Sequence, residues 1–140
     1  MVQEKRFCPI QILIIAFFVA IIIAILIPNY LSFQDNRHNQ EVLAQAFSLK
    51  SAVEEYALMY QSYPFETPQL VKYNLLVAEG FKNPFNGNCY LPSMNNDPKL
   101  GEIIYEPLDM DKNGSIESYS IIAYGKQYGE LTPVAYLQNN

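Results

Sequence analysis

The chain begins with a continuous apolar stretch, which sets the strongest limit on its fold. From Phe7 to Ile27 there are 21 residues, and Gln11 is their single polar interruption. As an α-helix with a rise of about 1.5 Å per residue, this stretch would match the roughly 30 Å hydrocarbon core of a bilayer. Its end is bulky and is followed by proline, unlike the small residues that precede a signal-peptide cleavage site. The sequence therefore predicts a membrane-spanning helix that stays with the protein.

Positive charges flank this apolar stretch mainly on one side. Lys5 and Arg6 precede it, and the next positive residue after it is Arg37. Flanking positive residues are retained on the cytoplasmic side of a membrane. We therefore expect a single-pass protein of the cytoplasmic membrane, with its N-terminus in the cytoplasm and residues 30–140 outside.

A second helical pattern follows the apolar stretch. Between Val42 and Tyr60, apolar residues recur at alternating steps of four and three, which is typical of an amphipathic helix packed on its own domain. Residues 31–40 contain no proline or glycine. Pro28 removes one helical hydrogen bond, which predicts a kink rather than a stop. We therefore expect one long helix, half in lipid and half against a domain, that lasts until Tyr63.

The rest of the chain predicts a small head. Residues 64–101 are rich in proline, glycine and asparagine, which predicts loops and one short helix around residues 69–79. Turns are expected at residues 109–114 and 126–129, and residues 138–140 are expected to fray. Stretches rich in β-branched and aromatic residues predict three antiparallel strands, at Glu102–Glu106, Ser118–Tyr124 and Leu131–Leu137. The predicted fold class is α+β, with the amphipathic half of the long helix packed on a small antiparallel sheet.

Several of these features together resemble a known family. The apolar helix begins with Phe7 after a short basic leader, ends in I-P-N-Y (27–30), and leads into a half-helix that contains A-V-E-E-Y (52–56). N-P-F-N-G at residues 83–87 is similar to the family's loop between helix and sheet. From Phe7 to about Tyr60 the chain resembles the type IV pilins and the pseudopilins of type II secretion. The resemblance implies a structural subunit whose long helix packs with others in the core of a filament while its head forms the surface.

The resemblance also implies partners and a division of the chain. The partners are a membrane, other pilin-like subunits in a homo- or hetero-oligomer, an assembly platform, and a prepilin peptidase that cleaves between Arg6 and Phe7. The division has four parts: a leader at 1–6, a membrane and assembly half of the helix at 7–30, an amphipathic half at 31–63, and a head at 64–140.

Two residues depart from the family pattern. The family has glycine directly before the cleavage point, where this chain has Arg6, and glutamate five residues into the mature helix, where this chain has Gln11. Gln11 can form hydrogen bonds, but it cannot neutralise the terminal amine of a neighbouring subunit. We predict that Gln11, Pro28 and Tyr30 act in assembly. A second hypothesis is that the leader stays on and the chain is a non-polymerising, membrane-tethered calcium-binding module.

The sequence D-M-D-K-N-G-S-I-E, residues 109–117, has the spacing of a calcium-binding loop. Oxygen-bearing side chains stand at alternate positions, and a glycine allows the sharp turn at the sixth. The twelfth position is Ser120 rather than glutamate, and Glu106 is a candidate for the missing ligand. An alternative is a solvated turn without a metal, since Asp and Asn favour turns. The predicted Ca²⁺ ligands are Asp109, Asp111, Asn113, Ser115 and Glu117.

Composition and motifs argue against other functions. The chain has 14 acidic and 9 basic residues and a net charge of −5, which argues against a nucleic-acid partner. The one histidine, His38, is expected to face solvent, and no serine or cysteine has a recognisable base partner. Cys8 and Cys89 are too far apart in the predicted topology to form a disulfide. We therefore expect a protein that is not an enzyme.

Overall fold

The structure is a computed structural model and describes residues 9–94, 97–110, 112 and 114–139. The described residues form an α+β fold with a very long first helix, a short second helix and two small antiparallel sheets. The helices are α1 (Pro9–Tyr60) and α2 (Thr67–Lys72), and the strands are β1 (Phe81–Lys82), β2 (Cys89–Tyr90), β3 (Ile103–Leu108), β4 (Ser118–Gln127) and β5 (Glu130–Gln138).

The chain divides into two compact units between Gln34 and Asp35. In the first unit, helix α1 continues through Pro28, as predicted. Its apolar side chains are exposed along the helix, and by length and composition this helix contains a segment able to cross a membrane. Tyr30 lies near the end of the unit, where its hydroxyl accepts a hydrogen bond of 2.7 Å from the Gln34 side chain.

In the second unit, the remainder of α1 buries one stripe of small and branched side chains. The predicted stripe is confirmed for Val42, Ala46, Leu49 and Val53, which are fully buried. The stripe becomes exposed at its end, because Tyr60 is 44 % exposed. The predicted end of the helix is slightly late, since α1 ends at Tyr60 and Gln61 adopts a left-handed φ of 56°.

The main sheet of the second unit has the order β3-β4-β5 and is antiparallel throughout. Alternate residues of the central strand β4 join the helix stripe in one core, as expected for a strand with a period of two. These residues are Tyr119, Ile121 and Ala123. The edge strand β5 carries a bulge opposite Ala123 and Tyr124, and it also holds Pro133, which an edge strand tolerates.

The three predicted strands are present, but the last turn is shorter than predicted. Residues 126 and 127 belong to β4 rather than to a turn, because Lys126 pairs with Leu131 and Gln127 pairs with Glu130. The turn consists of Tyr128 and Gly129 alone. The predicted fraying of residues 138 and 139 is also wrong, since β5 includes Gln138 and the Asn139 side chain bonds to residues 117–119.

The loop region also differs from its prediction. The helix expected at residues 69–79 is instead α2, which starts at Thr67 and ends at Lys72. Two residues later, Asn74 adopts a left-handed φ of 58°. The Gln69 side chain accepts a 2.7 Å hydrogen bond from the backbone N–H of Phe65, which holds the start of this helix. The small β1-β2 pair was not predicted, and two residues per strand are too few to give a period.

The Asn39 side chain of α1 bonds to the backbone of β4 at Lys126, beyond the point where β4 pairs with the first residue of β3, Ile103. The Asn39 amide donates to the Lys126 carbonyl at 2.8 Å, and the Lys126 N–H donates back to the Asn39 amide oxygen at 2.9 Å. The Lys126 ammonium also lies 3.3 Å from the Asp35 carboxylate. Gly125 makes room for this contact, because a Cβ at that position would lie 2.2 Å from the Asn39 amide oxygen. We call these contacts of Asp35 and Asn39 with Lys126 the strand clamp.

Replacing Asn39 with alanine should destabilise the head. The change leaves the N–H and carbonyl of Lys126 without their protein partner, which costs about 1–3 kcal/mol of unfolding free energy. Urea denaturation of the full chain in detergent, followed by near-ultraviolet circular dichroism of its tyrosines, measures this loss. Asn36→Ala is the matched control, because Asn36 is an exposed asparagine of the same helix. Equal losses in the two variants would contradict the clamp.

Candidate functional site

The predicted calcium loop lies between β3 and β4. The Asp109 carboxylate accepts a 3.0 Å hydrogen bond from the N–H of Gly114, which turns the first predicted ligand towards the inside of the loop. Gly114 has a φ of 84° and open space around it, and Lys112 has a φ of 54°. The sharp turn predicted at the sixth position is therefore present. This arrangement fits a loop that gathers oxygen atoms around a cation.

The second arm of the loop is fixed to the two residues Ser62 and Tyr63, just after the end of α1. Buried Ile116 accepts a 3.0 Å hydrogen bond at its carbonyl from the Tyr63 N–H, and its own N–H donates to the Ser62 hydroxyl at 3.1 Å. The Ser115 hydroxyl also donates to Ser62, at 3.3 Å. At the neck of the loop, the Glu117 N–H donates to the Leu108 carbonyl at 3.2 Å. The backbone of the eighth and ninth positions is thus held in place by Ser62, Tyr63 and Leu108.

Glu106, the candidate for the missing calcium ligand, forms a hydrogen bond within the sheet. Its register partner across the sheet is Ser120, and the Ser120 hydroxyl donates to the Glu106 carboxylate at 3.0 Å. Ser120 occupies the twelfth position of the loop, so Glu106 lies beside the position at which the loop pattern expects a carboxylate. Glu106 can accept this bond with one oxygen and offer the other to a cation.

Two of the five predicted ligands, Asp111 and Asn113, lie outside the described residues. Among the described residues, no group of three or more histidine, cysteine, aspartate or glutamate side chains is placed to hold a metal ion. The structure places Asp109 and Ser115 within the loop, Glu117 at its neck and Glu106 on the adjoining strand. Calcium binding thus stays a prediction from the spacing of the sequence.

A carboxylate on α1 anchors the strand that leaves the loop. The hydroxyls of Tyr119 and Tyr63 both donate to the Glu54 carboxylate, the second at 3.4 Å. Tyr119 is fully buried, and its ring lies against that of Tyr63. Burial raises the pKa of the Tyr119 hydroxyl far above its ordinary value, and the bond to Glu54 and its negative charge raise it further. Burial likewise raises the pKa of Tyr105.

The predicted assembly residues lie on the first unit. Gln11, Pro28 and Tyr30 are all on α1, with exposed side chains. The predicted cleavage residues, Arg6 and Phe7, lie outside the described residues.

The prediction for His38 is wrong. Its side chain is half-buried, and its ring meets that of Phe85 edge to face at a centroid distance of 4.9 Å. Phe85 belongs to the N-P-F-N-G loop, so this loop covers the helix at a position that the sequence pattern marks as polar. Aromatic pairs of this geometry stabilise a fold without any catalytic role.

Sequence reasoning missed the polar residues that fix β4 and the predicted calcium loop to the rest of the head. Asn39, Glu54 and Ser62 each bond to a strand or loop that is 54 or more residues away in sequence. Their signal in the sequence is weak, because polar residues on an amphipathic helix usually face water.

Comparison with known proteins gave no match. The chain matches no family model, no curated protein and no solved structure at a significant level. The function proposed below therefore depends on the residues and on the fold.

Alkaline pH should destabilise the head through Tyr119. Its pKa is raised in the folded state, so its contribution is complete below the unfolded pKa of about 10 and is lost as the pH rises from there towards the folded pKa. For one group with such a raised pKa, each unit of pH increase in this range lowers the free energy of unfolding by up to about 1.4 kcal/mol. Denaturation of the full chain in detergent at pH values from neutral to alkaline measures the slope.

The Tyr119→Phe variant should lose about 1–3 kcal/mol at neutral pH, because a hydrogen bond to a charged group is removed. It should also lose stability less steeply than the wild type above pH of about 10. Tyr128→Phe is the control, because the Tyr128 side chain is 96 % exposed. A Tyr119→Phe slope identical to that of the wild type would contradict the assignment.

Proposed function

We propose that this chain is a pilin-like or pseudopilin-like structural subunit of an extracytoplasmic filament, either a pilus or a type II secretion assembly. The observation that carries the proposal is helix α1, a single helix with two different surroundings. Up to Gln34 it is apolar and exposed, and from Asp35 onward it buries a stripe against an antiparallel sheet. A pilin-like α+β layout has this division of one helix between assembly and head.

The exposed apolar side chains of the first unit need a covering other than water. A run of exposed residues such as Ile14, Phe18 and Ile22 is far more apolar than a soluble surface. Lipid supplies the covering while the subunit resides in the membrane, and neighbouring helices supply it in a filament. Packing between such helices depends on van der Waals contact and on a few polar residues. Gln11 suits the polar role, since its amide both donates and accepts hydrogen bonds.

The proposed location follows from the same helix. The subunit resides in the cytoplasmic membrane with residues 1–6 in the cytoplasm and the head outside, as the positive residues Lys5 and Arg6 favour. Assembly then draws the head into an extracellular filament or a periplasmic pseudopilus, with a prepilin peptidase and an assembly platform as partners.

One specific observation favours a second candidate function. Arg6 stands where cleavage requires a small residue, and a chain that keeps its leader keeps two cytoplasmic charges. Such a chain is a single-span, membrane-tethered calcium-binding module that does not polymerise. The two candidates share the same fold and differ in the N-terminus of the mature protein.

Processing and polymerisation separate the two candidates. In cells that supply a prepilin peptidase and an assembly platform, we expect filaments that contain the chain and a mature mass that lacks residues 1–6. Arg6→Gly combined with Gln11→Glu should raise both the cleaved fraction and the filament yield, because it restores a small residue at the cleavage point and a carboxylate for the new amine. Mass spectrometry of the purified protein and electron microscopy of sheared cells measure the two quantities.

Gln3→Gly is the control, because it places a glycine in the leader away from the cleavage point. An intact Met1 and an absence of filaments, in both the wild type and the double variant, would reject the filament proposal and favour the tethered module.

The proposed role of calcium is structural. Asp109, Asp111, Asn113, the Ser115 carbonyl and Glu117 would hold the ion, with Glu106 as the extra carboxylate. Three carboxylates in one short loop repel each other, and a divalent cation relieves that repulsion. Because Ser62 and Asn139 hold the second arm of the loop, a bound ion would fix the first arm against a rigid partner.

Calcium should raise the melting temperature of the purified full chain. A free concentration one hundred times the dissociation constant adds about 2.7 kcal/mol of unfolding free energy. Asp111→Ala should abolish the increase at the same concentration, whereas Asp97→Ala should leave it unchanged, because Asp97 is an exposed aspartate outside the loop. Calorimetry with calcium and with a chelator provides the measurement. A melting temperature that is the same in both conditions would favour the metal-free turn.

A further inference from the structure

The turn between β4 and β5 exposes a tyrosine in a conformation that tyrosine disfavours. Gln127 and Glu130 are paired, so Tyr128 and Gly129 form a two-residue turn, with φ values of 53° and 87°. A turn with two positive φ values favours Asn-Gly, and a bulky residue in this region is an outlier. The Tyr128 side chain is 96 % exposed, so packing within the described chain does not compensate for this conformation.

The turn lies at the end of the second unit that contains its first residue, Asp35. Strand β4 runs antiparallel to α1, because Tyr119 near its start bonds to Glu54 and Lys126 near its end bonds to Asn39. The Lys126 ammonium reaches further back, to Asp35, the first residue of the unit. The turn at Tyr128 is two residues beyond Lys126, which is about 7 Å along a strand.

We propose that the Tyr128 turn contacts the interfacial zone of the membrane in which the apolar helix resides. The proposal rests on the membrane residence of the proposed function. Only seven residues, 28–34, separate the end of the apolar run from Asp35, a tether of about 10 Å in a helix. The polar zone on each side of the hydrocarbon core is about 5–8 Å deep. The tether therefore keeps this end of the head within reach of the bilayer surface.

The chemistry of the turn suits a neutral interface. Tyrosine is enriched at membrane–water boundaries, because its ring is apolar and its hydroxyl remains hydrated. Leu131, which is 43 % exposed, adds apolar surface beside the turn. The charge of Lys126 is paired with Asp35, and Glu130 is exposed. The turn thus has no excess positive charge to attract anionic headgroups, and we expect the contact with zwitterionic lipid.

The chain has no tryptophan, so single tryptophans report on each position without background. The full chain is reconstituted in phosphatidylcholine vesicles as four variants. Tyr128→Trp and Leu131→Trp probe the turn, and Phe17→Trp probes the apolar helix. Leu58→Trp is the matched control, an 85 % exposed residue near the opposite end of α1 in the second unit. Quenching is measured with lipids that carry a nitroxide on the headgroup or bromine in the middle of the acyl chain.

We expect strong quenching of Tyr128→Trp by the headgroup nitroxide, with emission shifted to shorter wavelength, and little quenching of Leu58→Trp. Leu131→Trp should show the same trend as Tyr128→Trp, which guards against a local effect of one substitution. Phe17→Trp should be quenched by mid-chain bromine. Added anionic lipid should leave the quenching of the turn unchanged.

Two results would overturn the contact while leaving the membrane span intact. The first is that Phe17→Trp is quenched by bromine but Tyr128→Trp behaves like Leu58→Trp. The second is a short-wavelength shift of Tyr128→Trp without quenching by either lipid, which would assign the turn to a protein neighbour. If Phe17→Trp itself is not quenched, the membrane residence in the proposed function fails, and the contact fails with it.

Discussion

The fold of the head depends on one helix face packed on one sheet face. Val42, Ala46, Leu49 and Val53 form a stripe of α1 that fits against the core-facing side of the sheet. Small side chains on the helix allow a close approach, and large tyrosines from the strands fill the remaining space. Apolar burial of this kind contributes about 25 cal/mol per Å² and is the main favourable term for so small a head. The predicted calcium loop and the β4-β5 hairpin are both attached to this one contact.

The same helix has an exposed part and a part packed on the sheet, and its residues change accordingly. Before Gln34 apolar residues surround the helix on all sides, which suits lipid or a bundle of helices. After Asp35 they are confined to one stripe, which suits a helix between a sheet and water. Pro28 removes one helical hydrogen bond, but α1 continues for about nine turns beyond it, so the proline interrupts neither pattern.

The sequence predicts the parts of the fold that have a period or a distinctive local composition. The stripe of α1 follows from its period of 3.6, and the strands around Tyr105, Ile121 and Ala135 follow from their β-branched and aromatic residues. The α+β class follows from the two together. The hydrogen bonds of Asn39 and Glu54 could not be predicted, because they join residues that are distant in sequence. The same limit applies to His38, whose burial depends on where a loop lies. In the candidate metal loop, the turn at Gly114 followed from the sequence, whereas the anchoring by Ser62 did not.

Polar contacts help to fix the register of helix α1 along the sheet. Apolar burial has no preferred direction. Asn39 and Glu54 add directional contacts, because each bonds to a fixed partner on β4, at Lys126 and Tyr119. These contacts lie near opposite ends of the strand, so one pair holds the hairpin turn in place and the other holds the arm of the predicted calcium loop. The predicted calcium loop and the Tyr128 turn are therefore both positioned by β4, which a few directional hydrogen bonds fix to α1.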